Sequence, residues 1–318
     1  MTQLATIPPE HPLLNPLQLK LMTPEVRALK TVLKQWLWTG STGGFIQGTP
    51  RVGKTTALRM VGDQLTTRTG ATIPSHLFSV PPSDKRSIAM LYRNLCLSAG
   101  FELPRPRQTN SEMLLDTFYH YLMDKAYEAG SNRVVLFVDE MQRLAIGQIE
   151  AFAQLHDMMG IEEVSLTVIF TGNDIESDGL LNAIEASERR HIQGRFFTQG
   201  HEFKGITKKS DLKACLGQYD TLRYPINTGA TYTECCVPKW FRNGWRLQHL
   251  TDEVWEVYRD YQRQYNLRGW GMLYFVNAVN VLLLDYLPKH GADNFSRKMM
   301  NECIKVSGLI PSMVRPAG

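Results

Sequence analysis

Cysteine is scarce in this 318-residue chain. Cys96, Cys215, Cys235, Cys236 and Cys303 form no CxxC pair and no even-numbered framework, which excludes a secreted disulfide scaffold and a paired zinc knuckle and fits a reducing cytoplasm. The adjacent Cys235 and Cys236 read as neighbouring buried thiols rather than metal ligands. Long apolar runs are missing as well. The strongest candidate, MLYFVNAVNVLLLDYL, is broken by Asn277, Asn280 and Asp285 and is too short to span a bilayer. The opening MTQLATIPPEHPLLNP has no basic start followed by an apolar core, so no secretion signal is expected. Neither sign of charge dominates: 35 Lys and Arg face 31 Asp and Glu, a net charge of +4. Any contact with nucleic acid must therefore come from local clustering of cations.

What is present suits one large α/β domain with a smaller one appended: 43% of residues are hydrophobic and 21% charged. Residues 1–22 are proline-rich and are expected to form an extended N-terminal arm. Thr23-Pro24-Glu25 has the form of a helix start. From there to 206, short apolar runs alternate with amphipathic segments. Strands are expected at 43–48, 75–80, 133–140, 164–173 and within 198–206, with helices between them, which predicts a five-stranded parallel sheet covered by helices on both faces. After 206 the pattern changes. Residues 207–290 are expected to form a helical lid with an aromatic-rich insertion at 219–248, long enough that it should pack or bind something. Residues 291–318 read as a C-terminal tail.

The octapeptide GTPRVGKT, from Gly48 through Thr49, Pro50, Arg51, Val52, Gly53 and Lys54 to Thr55, fits GxxxxGK[ST] between a strand and a helix. Glycines let backbone N–H groups curl around phosphates, Lys54 meets the β and γ charges, Thr55 offers its hydroxyl to Mg²⁺, and Thr56 continues the helix start. These residues imply ATP with Mg²⁺. The apolar strand Val134–Val138 ends in Asp139-Glu140, which places two acids at the carboxyl end of the sheet, where ligands bind. Asp139 is expected to hold the metal and Glu140 to polarise an attacking water. Asn173, after VIFTG, is placed to reach the same water or the γ-phosphate. Arg189, Arg190 and Arg195 follow, and Arg195 is the chosen candidate for a guanidinium donated to a neighbouring copy's γ-phosphate.

In its order and spacing this set resembles the AAA+ ATPases: Walker A at Gly48–Thr55, Walker B at Val134–Glu140, sensor 1 at Asn173, an arginine finger at Arg195 and a helical lid, over roughly residues 25–290. Within that superfamily the N-terminal helix, VDEMQRL and the short path from FTGN to GRFF resemble the TnsC/TniB group, regulators of DNA transposition related to the phage Mu B protein, some carried by CRISPR-associated transposons. The resemblance implies an ATPase that assembles as a ring or helical filament on double-stranded DNA, recruits transposase subunits, receives a TniQ-type target-selection protein and disassembles on hydrolysis. It implies a cytoplasmic, nucleoid-associated protein with no membrane partner. One departure stands out: where many AAA+ proteins carry a sensor 2 arginine, this chain has Met272, with Arg268 the nearest alternative.

Cations concentrate at Lys85, Arg86, Arg93, Arg105 and Arg107, with Thr109 as a hydroxyl donor. By the same resemblance this segment tracks the DNA backbone, giving salt-sensitive binding largely independent of sequence. Two other functions remain open from the residues: a replication initiator or clamp loader, and a P-loop phosphotransferase for a small substrate. Glu140 beside Asp139 counts against the second.

Overall fold

Valines, a leucine and a phenylalanine on successive positions favour a strand covered on both faces, and RVVLFVD forms one, β3 (Arg133–Asp139), with Val134 through Val138 all buried. The computed structural model describes residues 7–83, 86–104, 110–187 and 189–310. Beside β3 lie β2 (Ser75–Ser79) and β4 (Ser165–Asn173), then β1 (Gly43–Gly48) and β5 (Gly200–Glu202), in the order β2-β3-β4-β1-β5, every neighbouring pair parallel. This is the expected α/β fold. Flanking helices are α1 (Pro24–Trp38), α2 (Lys54–Gly62), α3 (Ile88–Ser98), α4 (Ser111–Glu128) and α5 (Ile146–Ile161). Ser87 and Asn110 start α3 and α4 by accepting from Met90 N–H and Met113 N–H. Two further helices, α6 (Asp174–Ala186) and α7 (Arg190–Phe196), lie between β4 and β5. They carry few buried apolar residues, so their periodicity is faint.

The contacts divide the chain into two units, one of Ala28–Thr49 with Lys54–Phe203, the other of Pro50–Gly53 with the described residues up to Arg27 and from Lys204 onward. In the first unit, Phe170 of β4 packs edge-on against Phe152 of α5 and against Phe196, and stacks on Phe197. Among the described residues no helix is long and apolar enough to cross a membrane.

The second unit is helical and includes the short helices α9 (Tyr232–Cys236), α10 (Pro238–Arg242) and α13 (Leu287–His290). Its core is built from α8 (Lys209–Tyr219), α11 (Thr251–Tyr265), α12 (Met272–Val281) and α14 (Arg297–Val306). Trp270 lies at its centre, stacked on Tyr258 at 4.6 Å and edge-on to Phe275. The aromatic-rich insertion packs within this unit: Asp220 accepts the backbone N–H groups of Leu247 and Gln248 at 2.8 and 3.1 Å. Residues 7–22 correct the expectation of an extended arm. They run in successive turns and bury His11, Leu13, Leu19 and Leu21. Gln218 of α8 clasps Met22 through both its backbone N–H and its carbonyl, and Asn280 donates to Leu13 O at 3.0 Å. Prolines keep the segment from forming regular structure, while its leucines are worth burying. The tail likewise contains α14, capped by Ser296, with Met300, Cys303 and Ile304 in the core.

His76 of β2 ties α3 and α4 together. The Ser98 hydroxyl donates to Leu95 O, so His76 Nε2–H donates to Ser98 at 2.8 Å and Nδ1 accepts from Tyr121 at 2.9 Å, a neutral ring. Burial, helped by the Lys125 charge, depresses its pKa to about 4 from 6.5. A histidine depressed on folding contributes stability that is present above pH 6.5 and lost as pH falls towards 4. At pH 5 the loss should be about 2 kcal/mol, read by urea unfolding at pH 7 and pH 5, and His76→Gln should remove that component of the difference. Truncating the aromatic cluster, Phe170→Ala, should cost about 3–5 kcal/mol in the same assay.

Candidate nucleotide site

Strand register builds the site. Gly48 pairs with Asn173, Ser79 with Asp139 and Val138 with Phe170, so the carboxyl ends of β1, β3 and β4 meet at one edge of the sheet, where an open parallel sheet binds ligands. Asp139 is buried there and is held by three donors. Its Oδ2 accepts the Thr55 hydroxyl at 2.5 Å; its Oδ1 accepts the Thr171 hydroxyl and, at 3.0 Å, the Glu140 N–H. A buried carboxylate persists only with such company. Thr171 was missed in the sequence. Its signal was a hydroxyl inside an apolar strand, two positions before Asn173 and so on the same face.

Lys54 and Thr55 open α2. The Lys54 ammonium donates to the carbonyls of Gly48 at 2.6 Å and Thr49 at 3.1 Å. Burial lowers its pKa, and the carboxylates of Asp139, Glu140, Asp174 and Glu176 oppose that shift. Thr56 faces solvent. The middle of the loop, Pro50–Gly53, has its contacts in the helical unit. Arg51 and Gly53 have φ of 63° and 103°, the left-handed backbone that turns N–H groups inward. Val52 is buried, Pro50 is exposed, and Arg51 accepts the Leu273 N–H on its carbonyl while its guanidinium lies over Tyr274. Met272, at the expected sensor 2 position, begins α12 close against Gly53.

These residues suit the group that the motif implies. The paired Thr55 and Asp139 oxygens are the hard donors Mg²⁺ takes, the start of α2 with Lys54 suits phosphate, and Asn173 Oδ1 is buried with no partner among the described residues. Asn173 stands at the N-cap of α6 without making a cap bond, so its amide is not committed to helix capping.

Glu140 leaves β3 with φ of 63°. Its Oε2 accepts from Gln142 Nε2 at 2.7 Å and lies 3.3 Å from Arg143 Nη2. Arg195, on α7, pairs within the chain with Asp157 at 2.7 Å, and Arg189 pairs with Glu150 at 3.1 Å; Arg190 is exposed. The expected DNA-binding residues are placed only in part. Arg86 is exposed before α3, and Arg93 is half-buried on α3 with Nη1 lacking a partner among the described residues. Lys85, Arg105, Arg107 and Thr109 lie outside the described residues.

No protein of curated function matches the chain. Among solved structures it is similar to the ORC2 protein of Aeropyrum pernix in its ADPNP–ADP complexes, at 15% identity and a TM-score of 0.58, covering 91% of this chain and 68% of that one. It is also similar to a Walker-type ATPase of Pyrococcus abyssi, at 19% identity, TM-score 0.42, over 90% and 89% of the two chains. The third is PCH-2 of C. elegans, at 12%, TM-score 0.40, over 92% and 67%. At such identities the ORC2 likeness speaks for the fold alone. Residues 39–181 match the AAA domain family, a span that contains the Walker A loop and the Asp139 network.

Proposed function

We propose that this chain is an ATP-hydrolysing regulator of DNA transposition, of the TnsC/TniB kind that includes members carried by CRISPR-associated transposons. It assembles with ATP as a ring or filament on duplex DNA, links a TniQ-type target-selection protein to transposase subunits, and comes apart when the triphosphate is cleaved. The observation that carries the ATPase step is the Thr55–Asp139 pair with Glu140 as the next residue.

Phosphates are received by the loop N–H groups and the start of α2, with Lys54 turning from the carbonyls of Gly48 and Thr49 to the phosphate oxygens. Thr55 and Asp139 would hold Mg²⁺, which would supply positive charge to offset that of the triphosphate. Glu140 takes a proton from water while that water's oxygen bonds to the γ-phosphorus. The bond from γ-phosphorus to the bridging oxygen breaks, leaving ADP and inorganic phosphate. Asn173 supplies its amide to the water or the γ-phosphate. Arg195 exchanges Asp157 for the γ-phosphate of a neighbouring copy, which makes turnover depend on assembly. Arg86 and Arg93, with Lys85, Arg105, Arg107 and Thr109, meet DNA phosphates.

Lys54→Ala should abolish ATP binding. Glu140→Gln should bind ATP, lose about 10²–10⁴-fold in turnover and stay assembled on DNA. Arg195→Ala should bind ATP without ordered assembly or hydrolysis. Arg107→Ala should weaken DNA binding across all sequences and lower its salt slope by about one. Electron microscopy of the protein with duplex DNA, with and without a slowly hydrolysed ATP analogue, tests the whole. Equal DNA affinity with and without nucleotide, from a protein that stays monomeric, would overturn it; preference for one origin sequence or a sliding clamp would favour a replication role instead.

A further inference from the structure

Glu140 ends on a flexible side chain, yet a group that must orient water has to be held still. The turn that follows supplies the means. Residues Met141–Arg143 form a single 3-10 turn closed by Arg143 N–H on Glu140 O at 3.0 Å, and this folds the side chains of Gln142 and Arg143 back onto the residue that starts it. Both fall on the same carboxylate oxygen: Oε2 lies 2.7 Å from Gln142 Nε2 and 3.3 Å from Arg143 Nη2. Among the described residues both donors to this carboxylate lie on Oε2 and none on Oε1. One oxygen is tethered twice and the other is left for a ligand.

Each tether is anchored in turn. Arg143 Nη1 donates to Val80 O, beyond the end of β2, at 2.8 Å. Gln142 Nε2 also lies 3.2 Å from Glu176 Oε2 on α6. A Cβ on Gly172 of β4 would come within 2.8 Å of Gln142 Oε1, so the glycine leaves the space the amide occupies. The left-handed backbone of Glu140, an unusual conformation for a residue with a side chain, is what lets the turn double back.

We propose that Gln142 and Arg143 are positioning residues for ATP hydrolysis: they hold Glu140 by Oε2 and present Oε1 to the attacking water. This rests on the proposed role of Glu140. Both residues act on Glu140 and neither belongs to the phosphate-binding loop, so their loss falls on turnover and spares binding.

The test is steady-state ATP turnover of the full-length chain with duplex DNA, alongside the affinity for a fluorescent ATP analogue and the melting temperature, for Arg143→Ala, Gln142→Ala, Arg143→Lys and Glu140→Gln. Each alanine variant should lose about tenfold in kcat with KM and analogue affinity changed by less than about twofold. Arg143→Lys should recover part of the loss, because an ammonium still reaches Oε2. Should Arg143→Ala unfold, Gln142→Ala carries the measurement. Wild-type kcat in both alanine variants, with Glu140→Gln inactive, overturns the proposal, as does a loss of kcat that is matched by loss of nucleotide affinity and unrescued by lysine. Wild-type turnover in Glu140→Gln would instead locate the failure in the role of Glu140, and the positioning role would fall with it.

Discussion

A carboxylate buried at the end of an apolar strand is the constraint on which this site is built. Asp139 follows five buried residues of β3 and is itself 3% exposed, so it needs donors from neighbouring elements. They come from the first turn of α2, from near the carboxyl end of β4 and from the turn after β3. None of these can be supplied unless β3 and β4 hold their register, with Val138 opposite Phe170, and unless α2 starts beside them. A shift of one residue would turn Thr171 to the other face of the sheet and leave the charge with one hydroxyl fewer. Chemistry and fold are coupled here through a single side chain: the aromatic packing around Phe170 fixes the strand that carries Thr171.

How much of this could be read beforehand depended on whether the information was local. The P-loop and the apolar run ending in two acids are contiguous stretches whose spacing is dictated by backbone curvature and strand length, and β1, α2 and β3 were legible from them. The sheet followed because strands and helices alternate. Thr171 and the grip of Gln142 and Arg143 on Glu140 were not legible, because they depend on pairings between residues whose proximity exists only after the strands register. α6 and α7 escaped for a different reason. Their buried faces hold Leu180, Ile184, Ile192 and Phe196 among many polar positions, too thin a stripe to stand out. α14 had both a serine cap and the spacing Met300, Cys303, Ile304, and could have been found.

The helical unit follows the same logic with neutral groups. Residues 7–22 carry prolines at 8, 9, 12 and 16, so they cannot satisfy their backbone in a helix or strand, and their leucines still favour burial. The unit resolves this with side-chain amides. Gln218 meets both polar atoms of Met22, and Asn280 meets the carbonyl of Leu13 while accepting from Tyr219. His11 sits edge-on between Tyr224 and Tyr232 with Nδ1 accepting from Leu13 N–H, and burial lowers its pKa, which keeps the ring neutral. Composition indicated an extended arm; the amides that bind it lie about two hundred residues or more away in sequence, beyond the reach of any local pattern.

Charge balance bears on the proposed assembly. Lys54 is surrounded by Asp139, Glu140, Asp174 and Glu176, whose fields all raise its pKa, and Arg143 is already paired with Glu140. A triphosphate brought to the start of α2 adds several negative charges to a neighbourhood in which, among the described residues around Lys54, carboxylates outnumber the cations Lys54 and Arg143. Like charges this close repel, and burial strengthens the effect. The loop N–H groups and the start of α2 offset part of it. The remainder requires positive charge from outside the site, and two sources are at hand in the proposed reaction: Mg²⁺ held by Thr55 and Asp139, and a guanidinium from another copy. Arg195, paired in its own chain with a largely exposed Asp157, can be recruited at small cost, since an ion pair at such a surface contributes at most about 1 kcal/mol. In the proposed assembly, a site with this balance of charge among the described residues would bind triphosphate most firmly when copies stand side by side.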